Sequence, residues 1–201
     1  HEIRGDFVPF PDILAMCAQE GSPDLVVEFA SSSKITFPGA GMSVMAASAA
    51  NIEYLCQLAS AQMISGDKVN QLRQVKFLKD KAHTLNLMKK HGELLRVRFD
   101  AFLKELDEEI KPLDIARWTN PRGGYFISLY TRPGCARRTV ELCREAGLVM
   151  TDAGAAYPYG NDPEDSHIRI APSFPPLEDV ELAAKLFCVC LKLATLEKMG
   201  S

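Results

Sequence analysis

A chain of 201 residues is long enough for one domain, or for a small domain plus part of another, and its 47% apolar and 24% charged residues are ordinary for a globular protein. The formal net charge is −3, and no basic stripe of the kind that binds nucleic acid is visible, since Lys89-Lys90 and Arg137-Arg138 read as solvated helix faces. No apolar run approaches the roughly 18 residues of a membrane span, no signal peptide is recognised, and Cys17, Cys56, Cys135, Cys143, Cys188 and Cys190 form neither a CxxC pair nor a Cys/His metal grid, so reduced thiols in a cytoplasmic protein are expected.

In chain order, Phe7 to Pro11 is irregular, and Asp12 is a candidate cap for a helix over Ile13 to Gln19, ended by Gly21-Ser22-Pro23. Leu25 to Ala30 is a short apolar run with β-branched residues. That pattern suits a strand buried on both faces of a parallel sheet. The polar loop Ser31-Ser32-Ser33-Lys34 follows, then Pro38-Gly39-Ala40-Gly41 and a second apolar run, Met42 to Ala47. Ile52, Leu55, Leu58, Ala59 and Met63 recur at helical spacing in a region that begins near Ser48. Gly66 breaks it, and Asp67 is placed to cap the next helix. A long amphipathic helix is expected across Lys79 to Ile110, with Leu87, Leu94, Leu95, Phe99, Phe102, Leu103 and Leu106 on its apolar face.

Beyond Pro112 the pattern shortens. Gly123 to Leu129 reads as a strand entered through glycines. Ala136 to Ala146 reads as a helix closed by Gly147. Leu148-Val149-Met150 and His167 to Ile170 read as short strands, and Leu177 to Met199 as a terminal helix that buries Cys188 and Cys190 as small hydrophobes. The expected organisation is residues 1–80 as an incomplete α/β portion, 81–111 as a linking helix, and 112–201 as a compact α+β domain. Two strands alone cannot bury both faces, so the first portion reads as incomplete.

Lys34 is the candidate for chemistry. It follows a strand, in a loop of small residues, beside Ser31 and Ser33. A lysine becomes a nucleophile when its ammonium is partly desolvated or lies near another cation. Small neighbours admit a flat ligand, and hydroxyls with loop amides can hold a phosphate. Arg169 is the candidate for a carboxylate, because its planar fork meets that group with two parallel hydrogen bonds. Tyr125, Tyr157 and Tyr159 are candidate lining residues. His83, His91 and His167 show no metal spacing and read as structural or exposed.

The run Ser31 to Gly41 (SSSKITFPGAG) resembles the S-x-S-K-x-x-x-P-G block of fold-type I aminotransferases, which depend on pyridoxal 5'-phosphate (PLP). Three further blocks stand in the order that family shows. They are Gly123-Gly124-Tyr125-Phe126, Ala153 to Gly160, and His167 to Phe174. The phrases Lys34 to Phe37 and Ile168 to Ser173 are most similar to the MocR-like branch of aspartate aminotransferases, or class Ic. The resemblance implies the fold of a PLP-dependent transferase, here its C-terminal part: a partial parallel sheet from the large domain plus an α+β small domain. It implies Lys34 as the lysine that holds PLP as a Schiff base, Ser31 and Ser33 as cofactor contacts, and Arg169, with Tyr157, as substrate contacts. Amino acids, with aspartate as one donor, and 2-oxo acids would be the substrates, exchanged by a homodimer.

Two departures from the family pattern stand out. Most relatives place a phosphate-binding arginine seven or eight residues after the lysine, where this chain has Gly41 and Met42. No D-x-A-Y motif precedes Lys34, and His1-Glu2-Ile3-Arg4-Gly5 looks like the segment that follows such a motif. The expectation is therefore a chain that lacks the N-terminal half of the protein and is inactive alone, with that half as a partner. A PLP-binding sensor domain of a MocR-type transcription regulator, and a PLP-dependent lyase on the same fold, are the alternative readings.

Overall fold

The computed structural model describes residues 9–200. The His1 to Gly5 segment expected to follow a D-x-A-Y motif, and Phe7-Val8, lie outside the described residues. The rest forms a mixed α/β chain whose contacts divide it into two compact units, the division falling between Met88 and Lys89.

In the first unit, helix α1 (Ile13–Gln19) is capped as expected, the Asp12 carboxylate accepting from the Ala15 amide at 3.0 Å. Strands β1 (Glu28–Ser31) and β2 (Ser43–Ala46) follow. They pair antiparallel, Glu28 opposite Ala46 and Ser31 opposite Ser43, which corrects the parallel sheet expected here. The reason is local. A parallel pair needs a crossover, whereas residues 32–42 turn the chain straight back, the Ser32 amide donating to the Met42 carbonyl at 2.8 Å. Neither strand is buried on two faces; every residue of both is exposed, Phe29 at 73%. Helix α2 (Ala49–Gln62) is capped by Ser48 and helix α3 (Lys68–Leu78) by Asp67. Gln74 is the one buried residue of this unit among the described residues.

Helix α4 (Lys81–Glu109) continues into the second unit. There Leu95, Phe99, Phe102, Leu103 and Leu106 are buried at the three- and four-residue spacing that places side chains on one helical face. Leu94 departs from the expected face and is 62% exposed. Strands β3 (Ala116–Trp118), β4 (Ile127–Thr131) and β5 (His167–Ile170) form an antiparallel sheet in that order. Alternation puts Ile127, Leu129, Ile168 and Ile170 on its core face. Helix α6 (Leu177–Met199) brings Val180, Ala184, Phe187, Leu191 and Ala194 to the same core, where the Phe187 and Phe102 rings lie 5.7 Å apart.

Helix α5 (Ala136–Glu145) ends at Gly147, which takes φ +88°. The Gly147 amide donates to Arg144 and the Leu148 amide to Cys143, the double bond of a Schellman stop. That stop is why Leu148-Val149-Met150 is not a strand, contrary to expectation: its first amide is already committed to the helix, and Val149 is 82% exposed.

Candidate functional site

Each unit carries part of the expected site. In the first, Ser31 ends β1 and Lys34 lies exposed in the turn that follows. The Ser31 and Ser33 hydroxyls are 2.6 Å apart, and the Ser33 amide donates to Ser31 Oγ at 3.1 Å. The turn is closed by the Ile35 and Thr36 amides, both donating to the Ser32 carbonyl, and by the Met42 amide, donating to Ser32 Oγ at 2.9 Å. The structure therefore gathers Ser31, Ser33 and Lys34 into one turn.

Gly41, which stands where most family members place an arginine, has a steric reason to be glycine. A Cβ built there would lie 2.6 Å from Ser33 Oγ and 3.0 Å from Ser33 Cα. The backbone at Gly41 thus packs onto Ser33, and only the smallest residue permits it. Helix α3 closes on the same loop. The side-chain amides of Asn70 and Gln74 both donate to the Ala40 carbonyl, at 3.0 and 2.6 Å. The Phe77 ring meets Phe37 at 4.8 Å.

In the second unit, β4 and β5 pair Ser128 with Arg169 and Tyr130 with His167. These four lie on the sheet face opposite the isoleucines, with Arg117, whose guanidinium covers the Tyr130 ring at 4.4 Å. Arg169 thus faces away from the core side taken by its neighbours Ile168 and Ile170. Its guanidinium stacks on Phe126 at 4.7 Å, and its Nε is buried with no hydrogen-bond partner among the described residues. Arg169 also lines a cavity of about 190 Å³ with Phe102, Leu148, Met150, Pro172 and Val180. A half-buried arginine with a stacked guanidinium and a buried, unmet Nε donor suits an anionic ligand.

Tyr157 packs edge-on against His167 at 5.9 Å. Burial first, then the Asp162 charge, raises the Tyr157 phenol above its ordinary value, so it stays protonated at neutral pH. Tyr159 is fully exposed. His167 is buried and bridges to Ser128, Nε2 to Oγ at 3.0 Å. Burial lowers its pKa, the Arg169 charge adds to that effect, and Asp162 opposes it. The imidazole is held neutral at pH 7.

Burial alone would raise the Asp162 carboxyl. The amides of His167, Ser166 and Glu164, donating to it at 2.8, 2.8 and 3.2 Å, more than offset this and hold it below its ordinary value. The sequence did not single out Asn70, Gln74, Ser128 or Asp162, and Phe126 stood out only as part of the glycine-led block.

Among the described residues no cluster of histidine, cysteine and acidic side chains could hold a metal ion. No described helix is long and apolar enough to cross a membrane. All six cysteines are free.

The family model described as "Aspartate amino-transferase" matches residues 1–201. A Mycolicibacterium smegmatis protein is 44% identical over 199 residues, 99% of this chain and 46% of that protein. An aspartate aminotransferase of Corynebacterium glutamicum is 39% identical over 197 residues, 98% of this chain and 46% of that protein. The chain thus spans about half the length of the curated relatives it matches. Among solved structures, an aspartate transaminase from Corynebacterium glutamicum superimposes with a TM-score of 0.94 at 38% identity, over 98% of this chain and 47% of that one. The Thermus thermophilus α-aminoadipate aminotransferase LysN, solved with N-(5'-phosphopyridoxyl)-L-leucine, superimposes with a TM-score of 0.78 over 97% of this chain and 48% of that one, at 19% identity, a likeness of fold. Because the family model matches this chain along all of its 201 residues, the chain belongs to the aspartate amino-transferase family.

Proposed function

We propose that the protein to which this chain belongs is a PLP-dependent aminotransferase, with Lys34 as its cofactor lysine. The observation that carries the reading is the Lys34 turn, where a lysine in a family member stands beside two serine hydroxyls 2.6 Å apart. The donor set fits the cofactor: the hydroxyls of Ser31 and Ser33 can donate to a phosphate, and the bare backbone at Gly41 keeps the loop tight behind them. When bound, PLP supplies an electron sink for the charge that develops at the substrate α-carbon. Lys34 Nζ serves as the base that takes the α-proton. Arg169 holds the substrate α-carboxylate, a role supported by its unmet Nε donor and its stacking on Phe126. Tyr157 lines the same sheet face through its contact with His167.

The substrates are an amino acid, aspartate among them, and a 2-oxo acid. The Corynebacterium relative named as an aspartate aminotransferase supports that choice. The Lys34 to Phe37 and Ile168 to Ser173 phrases support the MocR-like branch. Residues 1–80 serve as the large-domain portion, 81–111 as the linking helix and 112–201 as the small domain. In the first unit no described apolar side chain is buried, and large exposed apolar surface marks interaction sites. That exposure supports association with the remaining half of a relatives-length protein, and a homodimer. The six free thiols support a reducing, cytoplasmic setting.

Transfer of labelled nitrogen from aspartate to a 2-oxo acid tests the activity. A relatives-length protein containing this chain should transfer it, and Arg169→Gln should raise KM for the amino acid. This chain alone should be inactive. Labelled nitrogen released as ammonia instead of transferred would favour a lyase and overturn the proposal.

A further inference from the structure

Helix α3 turns one face toward the loop after Lys34. Asn70, Gln74 and Phe77 are spaced at four and three residues, so they share that face. The ends of the loop are tied by backbone and serine bonds between Ser32 and Met42. Its far stretch is held by α3: the Phe77 ring on Phe37 and the two amides on the Ala40 carbonyl. A carbonyl can only accept, so both side-chain amides must present their NH2 groups to it. Their oxygens, Asn70 Oδ1 and Gln74 Oε1, are thereby left buried with no partner among the described residues. Gln74 is 2% exposed, in a unit where no other described residue is buried. Burying an amide oxygen unmatched is unfavourable, and an apolar side chain would fill the space beside Met42, Val75 and Leu78 without that cost. What the amides provide in return is a double clamp on one carbonyl, adjacent to the glycine that packs on Ser33.

We propose that Asn70 and Gln74 are positioning residues for the Lys34 turn: by clamping the Ala40 carbonyl they hold Gly41 against Ser33, and so fix the Ser31 and Ser33 hydroxyl pair that would receive the cofactor phosphate. Neither residue touches the cofactor. The phosphate clause rests on the reading of Lys34 as the cofactor lysine; the clamp itself rests on the loop geometry.

Limited tryptic cleavage of this chain tests the clamp. Gln74→Met removes the donor at similar volume. Asn70→Asp removes the other donor while placing a negative charge in the first turn of α3, where it favours the helix. Each variant should speed cleavage after Lys34 about tenfold, the effect expected when one strong hydrogen bond no longer opposes local opening. Cleavage after Lys68, Arg73 and Lys76 of α3 should stay at its unsubstituted rate. Unchanged cleavage after Lys34 in both variants would overturn the proposal. So would acceleration spread over α3, which would mean that the amides merely stabilise the unit. In parallel, PLP trapped by borohydride on Lys34 of a relatives-length protein containing this chain should fall by a similar factor. If that protein, unsubstituted, traps none on Lys34, the cofactor reading fails, and the clamp is still decided by the cleavage sites.

Discussion

The two units of this chain are stabilised in different ways. From Leu95 onward, helices α4 and α6 close on the isoleucine face of a three-stranded sheet, and the described buried hydrophobic side chains all lie there. Up to Met88, the described residues bury only Gln74, and the lysine turn is organised by serine hydroxyls, backbone amides and two side-chain amides on one carbonyl. Both stretches have ample apolar residues. The difference is whether those residues are covered by other described residues of the same unit. The second unit pairs its own apolar faces, whereas the first displays Leu25, Phe29 and Val44 at 76, 73 and 62% exposure.

Truncation gives the largest expected effect. Phe187→Ala in the core of the second unit should cost about 3–5 kcal/mol in unfolding free energy, while Phe29→Ala in the first should change it by less than about 0.5 kcal/mol. Chemical denaturation of this chain checks both, and a large loss from Phe29→Ala would break the comparison. Next comes Asp162→Asn, which should cost about 2 kcal/mol by weakening the hydrogen bonds to the backbone amides of residues 164, 166 and 167.

The Asp162 carboxyl is held below its ordinary 3.8, so its contribution is present above that value and is lost as pH falls below it. A denaturation series at acid pH should therefore show the cost of Asp162→Asn shrinking. His167 acts in the same direction at higher pH. Its folded pKa is lowered from 6.5, so the unfolded chain binds the proton more readily and stability declines as pH falls below about 6.5. His167→Gln should flatten that decline in melting temperature between pH 7 and 5. The smallest effect is expected from Arg138→Ala, which removes an exposed pairing with Glu197. Any loss should vanish in high salt.

The second unit was largely legible in the sequence, because its periodicity is satisfied within the chain. Helix α6 runs from Leu177 to Met199 as its apolar spacing requires, and Gly147 ends α5 as its conformational freedom allows. The apolar run at Leu25 to Ala30 was misleading. Composition cannot distinguish a strand buried between neighbours from one left exposed, and the antiparallel return through residues 32–42 is set by the Ser32 and Met42 bonds. That Lys34, Ser31 and Ser33 share one turn was legible because they are local in sequence. The clamp was not, since Asn70 and Gln74 lie on a helix far along the chain from Ala40. Ser128 beside His167 and Phe126 under Arg169 depend on strand register, which alternation restricts but does not determine.

The most direct test is trapping by borohydride after incubation with PLP, followed by intact mass and peptide mapping. The account predicts the reduced cofactor on Lys34, and its loss in Lys34→Ala. A relatives-length protein that carries the cofactor on another lysine, or traps none while turning over amino acids, would contradict it.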